Sequence, residues 1–440
     1  MGCAARVKSR ASDGMAWWLV VALACAAGVW LFAERVFIPY QMADAAAHDR
    51  PRGNLSDLYP RWVGARDLLL FGRDPYSAEV AHEAQAGYYG RPLDPSRPND
   101  PKDQEGFAYP VYVVFYLAPT VRLPFAIVRE GFFWLLMILT VASALIWLRV
   151  LEWPALFATR ALVVVVTLGS LAVMQGLKLE QISLLVAALI AIAVWLMVRD
   201  WQVAAGIVLA VASVKPQLVI LLLIWLSMWT LGGWRRRYRW AVSFGIAMAV
   251  QIAAAEWYLP HWIPRFWQAV RAYKSYTGAV GVAEEFAGPL LGRTLEVLAF
   301  VLLVRLCWRE RGHAANTKAF ACMVSLVLAL AVLLVPTYSV YNQVLLIPAL
   351  LVLVEARRAL WRRGFASRFL LLAVAVLVAW PWIASVVLAG LSFVLPQATV
   401  GRAWAVPFWT VLLVPVGVAA LMLVYVAQQT FAGSAEAGTS

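Results

Sequence analysis

The sequence has few of the residues that build disulfide frameworks, zinc sites or charged soluble surfaces. It contains four histidines and four cysteines: Cys3, Cys25, Cys307 and Cys322. The cysteines show no CxxC spacing, which argues against both a disulfide scaffold and a zinc site. Charged residues make up only 14% of the chain, against about 25% in an average soluble protein. The composition therefore disfavours a small secreted domain and an ordinary soluble enzyme.

Apolar residues are unusually abundant. They make up 63% of the chain and form long runs such as Leu184–Val198 and Val203–Leu231. A helix that crosses a bilayer needs roughly 20 mostly apolar residues, and a soluble core could not absorb so many uninterrupted apolar segments. The sequence predicts an all-α polytopic membrane protein.

The basic residues lie mostly between the apolar runs. The formal net charge is +13, but a nucleic-acid-binding protein would gather its bases on one face. Short basic loops instead follow the positive-inside pattern of membrane proteins, so we expect no nucleic-acid partner. The clusters are Arg6, Lys8 and Arg10; Arg235, Arg236, Arg237 and Arg239; Arg305, Arg309 and Arg311; and Arg357, Arg358, Arg362 and Arg363.

We predict about twelve transmembrane helices within a single domain, residues 1–430, followed by a disordered tail, residues 431–440. The first apolar run, Trp17–Phe32, is longer than the core of a signal peptide and is expected to be retained. Both termini are then cytoplasmic. The predicted spans lie near residues 16–37, 109–126, 131–150, 160–175, 180–198, 203–231, 239–257, 291–307, 318–336, 340–355, 368–390 and 405–428.

Two long polar segments fall on the outer side in this topology: the first polar segment, residues 40–108, and the second polar segment, residues 257–290. The first contains Leu58, Trp62, Ala65 and Leu69 at helical spacing, followed by Gly72 as a stop signal. We expect this amphipathic helix to lie along the membrane surface. The run at 203–231 is interrupted by Lys215-Pro216, which predicts either a kinked helix or two short helices.

Asp57 is the leading candidate for catalysis. It stands where the amphipathic helix begins, so one interpretation is a capping carboxylate. The other is a general base at the membrane surface, with Arg61 and Arg66 available to bind phosphate. A carboxylate flanked by cations suits a reaction in which a hydroxyl loses a proton while an anion departs.

Lys215 is the second candidate. A charge inside an apolar run costs about 2.5–3.5 kcal/mol on insertion scales and usually faces water or serves a function. Beside a proline break it is expected to face an aqueous cavity, although a lysine that reaches back to the interface is the alternative.

Further polar residues interrupt the apolar runs. Gln175, Lys178, Glu180 and Gln181 form either a cavity lining or an ordinary loop in which Lys178 and Glu180 compensate each other. Tyr338, Tyr341 and Asn342 suit sugar hydroxyls or act as interface anchors. The chain lacks clustered His, Asp and Glu, so no metal site and no cofactor are predicted. A divalent ion held by Asp57 and phosphate stays an open alternative.

The order of several motifs resembles the bacterial polyprenyl-phosphate-dependent glycosyltransferases of the GT-C fold, specifically glycosyltransferase family 87, which includes periplasmic α-mannosyltransferases. The motifs are Asp57, Tyr59, Ala65-Arg66, Gly72 and Pro75-Tyr76; Tyr109-Pro110 and Leu117-Ala118-Pro119; Gln181-Ile182-Ser183-Leu184-Leu185; and Ala205-Gly206, Val214-Lys215-Pro216-Gln217 and Trp234-Arg235-Arg236. Glu180 and Ser183 replace the family's usual Gly and Asn, and the turn at 336–342 lacks the Asp or His of mannosyltransferases. Mannose, another hexose and a pentose therefore all stay open as the sugar.

The resemblance implies an inverting sugar transfer on the periplasmic side of a bacterial inner membrane. A polyprenyl-phosphate-linked sugar is the implied donor, and a lipid or glycan is the acceptor. Asp57 would be the general base and Lys215 would stabilise the leaving phosphate. The implied substrate-binding residues are Tyr59, Arg61, Arg66, Tyr109, Gln181, Lys215, Gln217, Tyr338, Tyr341 and Asn342.

Three other functions remain open from the sequence. A transporter or flippase of lipid-linked precursors would share the many spans and the cationic cavity, but it does not need a large polar segment after the first span. An assembly subunit without chemistry would tolerate changes at Asp57 and Lys215. A glycan polymerase or ligase would place its large outer loop late in the chain.

Overall fold

The computed structural model describes residues 2–49, 51, 56–153, 156–278, 280–335 and 338–437, with the side chains of 2–15 and 428–437 left undescribed. The described residues form helices and turns and no strand. The helices of the first half are α1 (Gly2–Phe32), α2 (Ile38–Ala47), α3 (Tyr59–Arg66), α4 (Ala78–Tyr89), α5 (Val113–Leu117), α6 (Phe125–Val150), α7 (Phe157–Gly169), α8 (Leu171–Lys178), α9 (Ile182–Val198) and α10 (Gln202–Ala212). Those of the second half are α11 (Pro216–Leu231), α12 (Trp234–Tyr258), α13 (Trp262–Thr277), α14 (Val282–Glu310), α15 (Lys318–Leu334), α16 (Ile347–Arg362), α17 (Phe365–Leu391), α18 (Gln397–Gly401) and α19 (Leu413–Ala437).

Several helices are long and apolar enough to cross a bilayer. Among the described residues there are five such segments, or six if α7 and α8, which meet at a bend of 60°, form one broken span. The five are Ala16–Ala47, Phe125–Val150, Trp234–Tyr258, Phe365–Leu391 and Gln397–Ala427. Three more apolar helices, α9, α11 and α15, have 16 or 17 residues. The membrane prediction is confirmed, whereas the count of about twelve spans is not.

Two predicted spans differ from the structure. Residues 109–126 contain the five-residue helix α5, a short 3₁₀ turn, Ala118–Thr120, and the first two residues of α6, so the prediction of a span there is wrong. Val111 and Val114 are fully buried, which shows that this apolar stretch packs inside the protein. Residues 340–346 form a 3₁₀ helix before α16 begins. Pro336 and Thr337 of the preceding turn lie outside the described residues.

The core is built around α9 and α15, whose residues are mostly buried. α9 packs against α6 and α10, and α10 packs against α12. Gly206 of α10 permits that last contact, because a Cβ there would lie 2.2 Å from the Trp240 carbonyl oxygen. Small residues commonly allow membrane helices to approach this closely. The bundle thereby fixes the break between α10 and α11 against the beginning of α9.

The first polar segment carries the predicted surface helix. α3 begins at Tyr59 and continues as a π-helical turn, Asp67–Phe71. Gly72 then adopts a left-handed conformation (φ 67°), which confirms it as the stop signal. α3 packs against α4 and α5 and places Leu58, Val63 and Ala65 in the core. Asp57, two residues before this helix, is thus held against the transmembrane bundle.

Candidate active site

Asp57 is fixed by the turn that joins α8 to α9. Its backbone N–H donates to the Leu179 carbonyl at 2.9 Å, so this part of the first polar segment is tied to the bundle. The capping interpretation is wrong: the N-cap residue of α3 is Leu58, and no side chain caps that helix. The Asp57 carboxylate instead accepts a hydrogen bond from the Gln181 side chain. It is partly exposed and can therefore meet a ligand.

Gln181 joins the two leading candidates. It is the N-cap residue of α9, with extended backbone geometry, and its side chain is buried. Its Nε2 donates to Asp57 Oδ2, and its Oε1 accepts from Lys215 Nζ at 3.3 Å. A single amide therefore links a carboxylate from the first polar segment to a lysine from the transmembrane bundle.

Lys215 lies at the break between α10 and α11. Pro216 is the first residue of α11, so the run at 203–231 is two helices. Lys215 is 6% exposed, and its Nζ donates to Ser183 Oγ at 2.6 Å and lies 5.0 Å from the Tyr341 ring centroid. Because it is buried and points to these groups, the lysine does not reach back to the interface.

Two further predicted residues complete this network. Asn342 Oδ1 accepts a hydrogen bond from Ser183 Oγ at 2.9 Å, and Tyr109 lies within interaction range of both Lys215 and Arg61. Ser183, which departs from the family pattern, thus connects Lys215 to Asn342. The sequence contained no signal for this contact, since it depends on the 3₁₀ helix at 340–346.

Arg61 is the cation of the site that has no polar partner. Its guanidinium lies 4.9 Å from the Tyr109 ring centroid, and within the described ranges it forms no hydrogen bond or ion pair. Its Nε is buried and unsatisfied. A buried donor without a partner costs about 1–3 kcal/mol, more for a charged group. These N–H groups are therefore available to an anionic ligand.

The surroundings of Asp57 change its proton affinity. Burial raises the pKa of this carboxyl above its usual value, while the charges of Arg61 and Lys215 lower it in part and Asp103 raises it. Burial acts against the charged form because the carboxylate loses water. A carboxylate with a raised pKa accepts a proton more strongly than an ordinary aspartate does.

Four predicted residues lie away from the Asp57 carboxylate. Tyr59 packs its ring against Phe125, with centroids 4.7 Å apart, and Arg66 lies over the Trp62 ring at 5.6 Å. Gln217 is exposed on α11. Tyr338 Oη donates to the Val411 carbonyl at 2.7 Å. The structure does not bring these four side chains to the Asp57–Lys215 network.

The polar residues around Gln181 pair differently from the prediction. Lys178 pairs with Glu34 of the π-helical turn after α1, and Glu180 pairs with Arg129 of α6 at 3.2 Å. The prediction that Lys178 and Glu180 compensate each other is wrong, since both reach partners on other helices. Glu180 has a positive φ of 47°, and this tight turn directs Gln181 toward Asp57.

An acidic and aromatic group beside Arg61 was not predicted from the sequence. Asp103 and Glu105 come from the loop after α4, and Tyr273 and Tyr276 come from α13. Burial raises the pKa of Glu105 to about 8, with a further contribution from Asp103. Within the described part of the chain, no three His, Cys, Asp or Glu side chains are grouped to hold a metal ion. The absence of a cofactor stays a prediction.

Comparison with known proteins supports the sequence resemblance. Residues 107–337, just over half of the 440-residue chain, match glycosyltransferase family 87. No curated protein and no solved structure matches the chain. The matched region contains Tyr109, Gln181 and Lys215, whereas Asp57 and Arg61 precede it. The protein is therefore a membrane glycosyltransferase and belongs to glycosyltransferase family 87.

Proposed function

We propose that the protein transfers a sugar from a polyprenyl-phosphate carrier to a lipid or glycan acceptor on the periplasmic side of a bacterial inner membrane, with inversion at the anomeric carbon. The observation that carries this proposal is the link between Asp57 and Lys215 through Gln181, with the unpartnered Arg61 beside it. A base and two cations are the groups that such a transfer needs.

Each group has a place in the reaction. The acceptor hydroxyl oxygen attacks the anomeric carbon, and its proton passes to the Asp57 carboxylate. The bond from the anomeric carbon to the phosphate oxygen breaks, and its electron pair stays on the departing polyprenyl phosphate. Lys215 and Arg61 stabilise this anion. Displacement in one step, from the face opposite the phosphate, inverts the configuration.

A lipid-linked phosphate suits the position of the cations. Lys215 is buried between two apolar helices, so a phosphate beside it would keep its hydrocarbon chain in the bilayer. The two cations supply the charge that a divalent ion supplies elsewhere, and we therefore propose transfer without a metal. Treatment with a chelator should leave the rate unchanged, and a loss of activity restored by Mg²⁺ or Mn²⁺ would contradict this part.

The position of the basic loops favours an active site on the periplasmic side. α11 begins beside Lys215 and has 16 residues, so its far end lies about 24 Å away. At that end Arg237 binds the carbonyls of Arg311 and His313. Basic loops stay cytoplasmic, which favours a periplasmic position for Asp57.

The proposed function is tested by mass spectrometry of envelope glycolipids from a deletion strain. We expect a glycolipid that lacks one sugar, together with accumulated polyprenyl-phosphate sugar, and rescue by the wild-type gene but not by Asp57→Asn. A flippase would still work with Asp57→Asn. Unchanged glycolipids in the deletion strain would overturn the transferase proposal.

A further inference from the structure

The two polar segments meet beside the active site. At the beginning of α13, Arg265 forms an ion pair with Asp74 at 2.7 Å, and the Trp262 ring contacts Tyr112 edge to face with centroids 5.8 Å apart. Tyr112 itself donates to the Ser213 carbonyl at 2.8 Å. α13 is therefore anchored at one end both to the first polar segment and, through Tyr112, to the bundle.

The other end of α13 brings two tyrosines to the loop around residue 105. The rings of Tyr273 and Tyr276 are 5.5 Å apart and at a steep angle, and a Cβ at Gly106 would lie 3.4 Å from Tyr276 Oη. Both tyrosines are partly exposed, as are Arg61 and Asp103. Burial and the charge of Asp103 raise the pKa of Tyr273 to about 12. Solvent therefore still reaches Asp103, Tyr273 and Tyr276, which we call the tyrosine group.

We propose that Asp103, Tyr273 and Tyr276 bind the sugar headgroup of the acceptor and present its hydroxyl to Asp57. The inference rests on the proposed function and names the acceptor's subsite. A carboxylate accepts hydrogen bonds from sugar hydroxyls, and tyrosine hydroxyls both donate and accept them. Aromatic walls with a few placed polar groups are the usual composition of a small-molecule site.

The position of the tyrosine group assigns it to the acceptor rather than to the donor. Lys215 lies close enough to Asp57 and Arg61 to interact with both, and it approaches from the bundle. Asp103 interacts with Asp57 and Arg61 from the polar segments. Asp57 therefore interacts with Lys215, which comes from the bundle, and with Asp103, which comes from the first polar segment. A base must contact the acceptor hydroxyl, so the acceptor occupies the side away from Lys215.

Glu105 is a positioning residue in this arrangement. Its backbone N–H donates to Asp103 Oδ1 at 3.0 Å, and its carboxyl accepts from Tyr89 Oη at 3.1 Å. The residue has a positive φ of 51° and is 8% exposed. These contacts fix the Asp103 carboxylate against the backbone of residue 105.

Saturation-transfer NMR on the full-length protein in lipid nanodiscs tests the subsite. The probes are methyl glycosides of mannose, glucose, galactose and arabinose, together with myo-inositol. We expect at least one probe to bind the wild type. Binding should weaken about tenfold in Asp103→Asn, which removes a charge-assisted hydrogen bond, and by a smaller factor in Tyr276→Phe.

Two matched variants control for general effects. Asp49→Asn changes an almost fully exposed carboxylate, and Tyr258→Phe removes the hydroxyl of an exposed tyrosine at the end of α12. Both should bind the probes as the wild type does. Both site variants keep the side-chain volume, and thermal unfolding checks their folding.

The subsite is overturned if no probe binds the wild type, or if Asp103→Asn and Tyr276→Phe bind as well as the controls. The proposed function is judged separately, from the glycolipids of the Asp57→Asn strain. If Asp57→Asn abolishes transfer while Asp103→Asn and Tyr276→Phe bind the probes normally, only the acceptor subsite is wrong. If Asp57→Asn transfers normally, the proposed function fails whatever the probes show.

Discussion

Two arginines at opposite ends of the bundle differ in how their N–H groups are used. The Arg237 guanidinium donates to four backbone carbonyls, those of Trp229, Arg311, Gly312 and His313, at 2.6–3.0 Å. Arg61 has no hydrogen-bond partner among the described residues, and its guanidinium lies 4.9 Å from the Tyr109 ring centroid.

Arg237 is therefore a structural cation, whereas Arg61 is available to a ligand. Arg237 joins α12 to the loop after α14, and carbonyl oxygens satisfy its charge. Arg61 lies beside an ionisable carboxylate, with its donors unused, although buried donors are nearly always paired in proteins. If this distinction is correct, substitutions near Asp57 should reduce catalysis, and substitutions near Arg237 should reduce stability.

The largest effect is expected for Asp57→Asn. Removal of a general base typically lowers the rate about 10²–10⁴-fold, so kcat should fall by that factor while donor binding persists. The measurement is transfer of radiolabelled sugar from a polyprenyl-phosphate donor by purified protein in lipid. Asp49→Asn is the control. Transfer by Asp57→Asn at the wild-type rate would remove the base from the mechanism.

Lys215→Met should have the next largest effect. The substitution keeps the length of the side chain and removes the charge that would stabilise the leaving phosphate, and loss of one such group costs about 10²–10³ in kcat. Single-turnover kinetics measure the chemical step directly. Lys318→Met, which changes an exposed lysine paired with Glu355, should leave kcat unchanged. Equal losses in both variants would contradict a specific role for Lys215.

Arg61→Gln and Arg237→Gln compare the two ends directly. Arg61→Gln should raise the donor KM about tenfold, because a charged hydrogen bond contributes about 1.5–3 kcal/mol, and it should leave the unfolding temperature unchanged. Arg237→Gln should lower the free energy of unfolding by about 2 kcal/mol and leave KM unchanged. A less stable Arg61→Gln with an unchanged KM, or an equally stable Arg237→Gln with a raised KM, would contradict the distinction between the two arginines.

The smallest effect is a shift of the pH profile. Asp57 must be deprotonated to act as a base, so kcat/KM should fall as pH falls through its pKa, which burial raises above the usual aspartate value. Gln181→Glu places a second carboxylate against Asp57 and should move this acid limb upward by about one unit. The profile is measured under subsaturating donor. A shift to lower pH would contradict the assignment of that limb to Asp57.

The membrane class could be predicted from the sequence, but the count of spans could not. An apolar run indicates that a segment avoids water, but it does not indicate whether protein or lipid covers that segment. Residues 109–126 illustrate the difference, since Val111 and Val114 are fully buried and Pro110 and Pro119 prevent a long helix. The break at Lys215-Pro216, in contrast, was visible because proline acts locally.

The site residues that could be predicted from the sequence are those whose type is unusual in their own segment. Lys215 stood out as a charge in an apolar run, and Asp57 as an acid before an amphipathic helix. Ser183, Asp103 and Tyr273 gave no such signal, because each is ordinary in its own segment and gains meaning only from tertiary contacts. The pairing of Lys178 was missed for the same reason, since its partner Glu34 lies 144 residues away.

Both residues that bridge the site, Gln181 and Lys215, occupy the N-cap positions of their helices, α9 and α11. The positive ends of two helix macrodipoles therefore converge near the proposed phosphate position, each equivalent to roughly half an elementary charge. This part of the electrostatic field comes from the backbone and cannot be titrated or deleted by a side-chain substitution. An enzyme that loses Lys215 should consequently keep a residual attraction for anions.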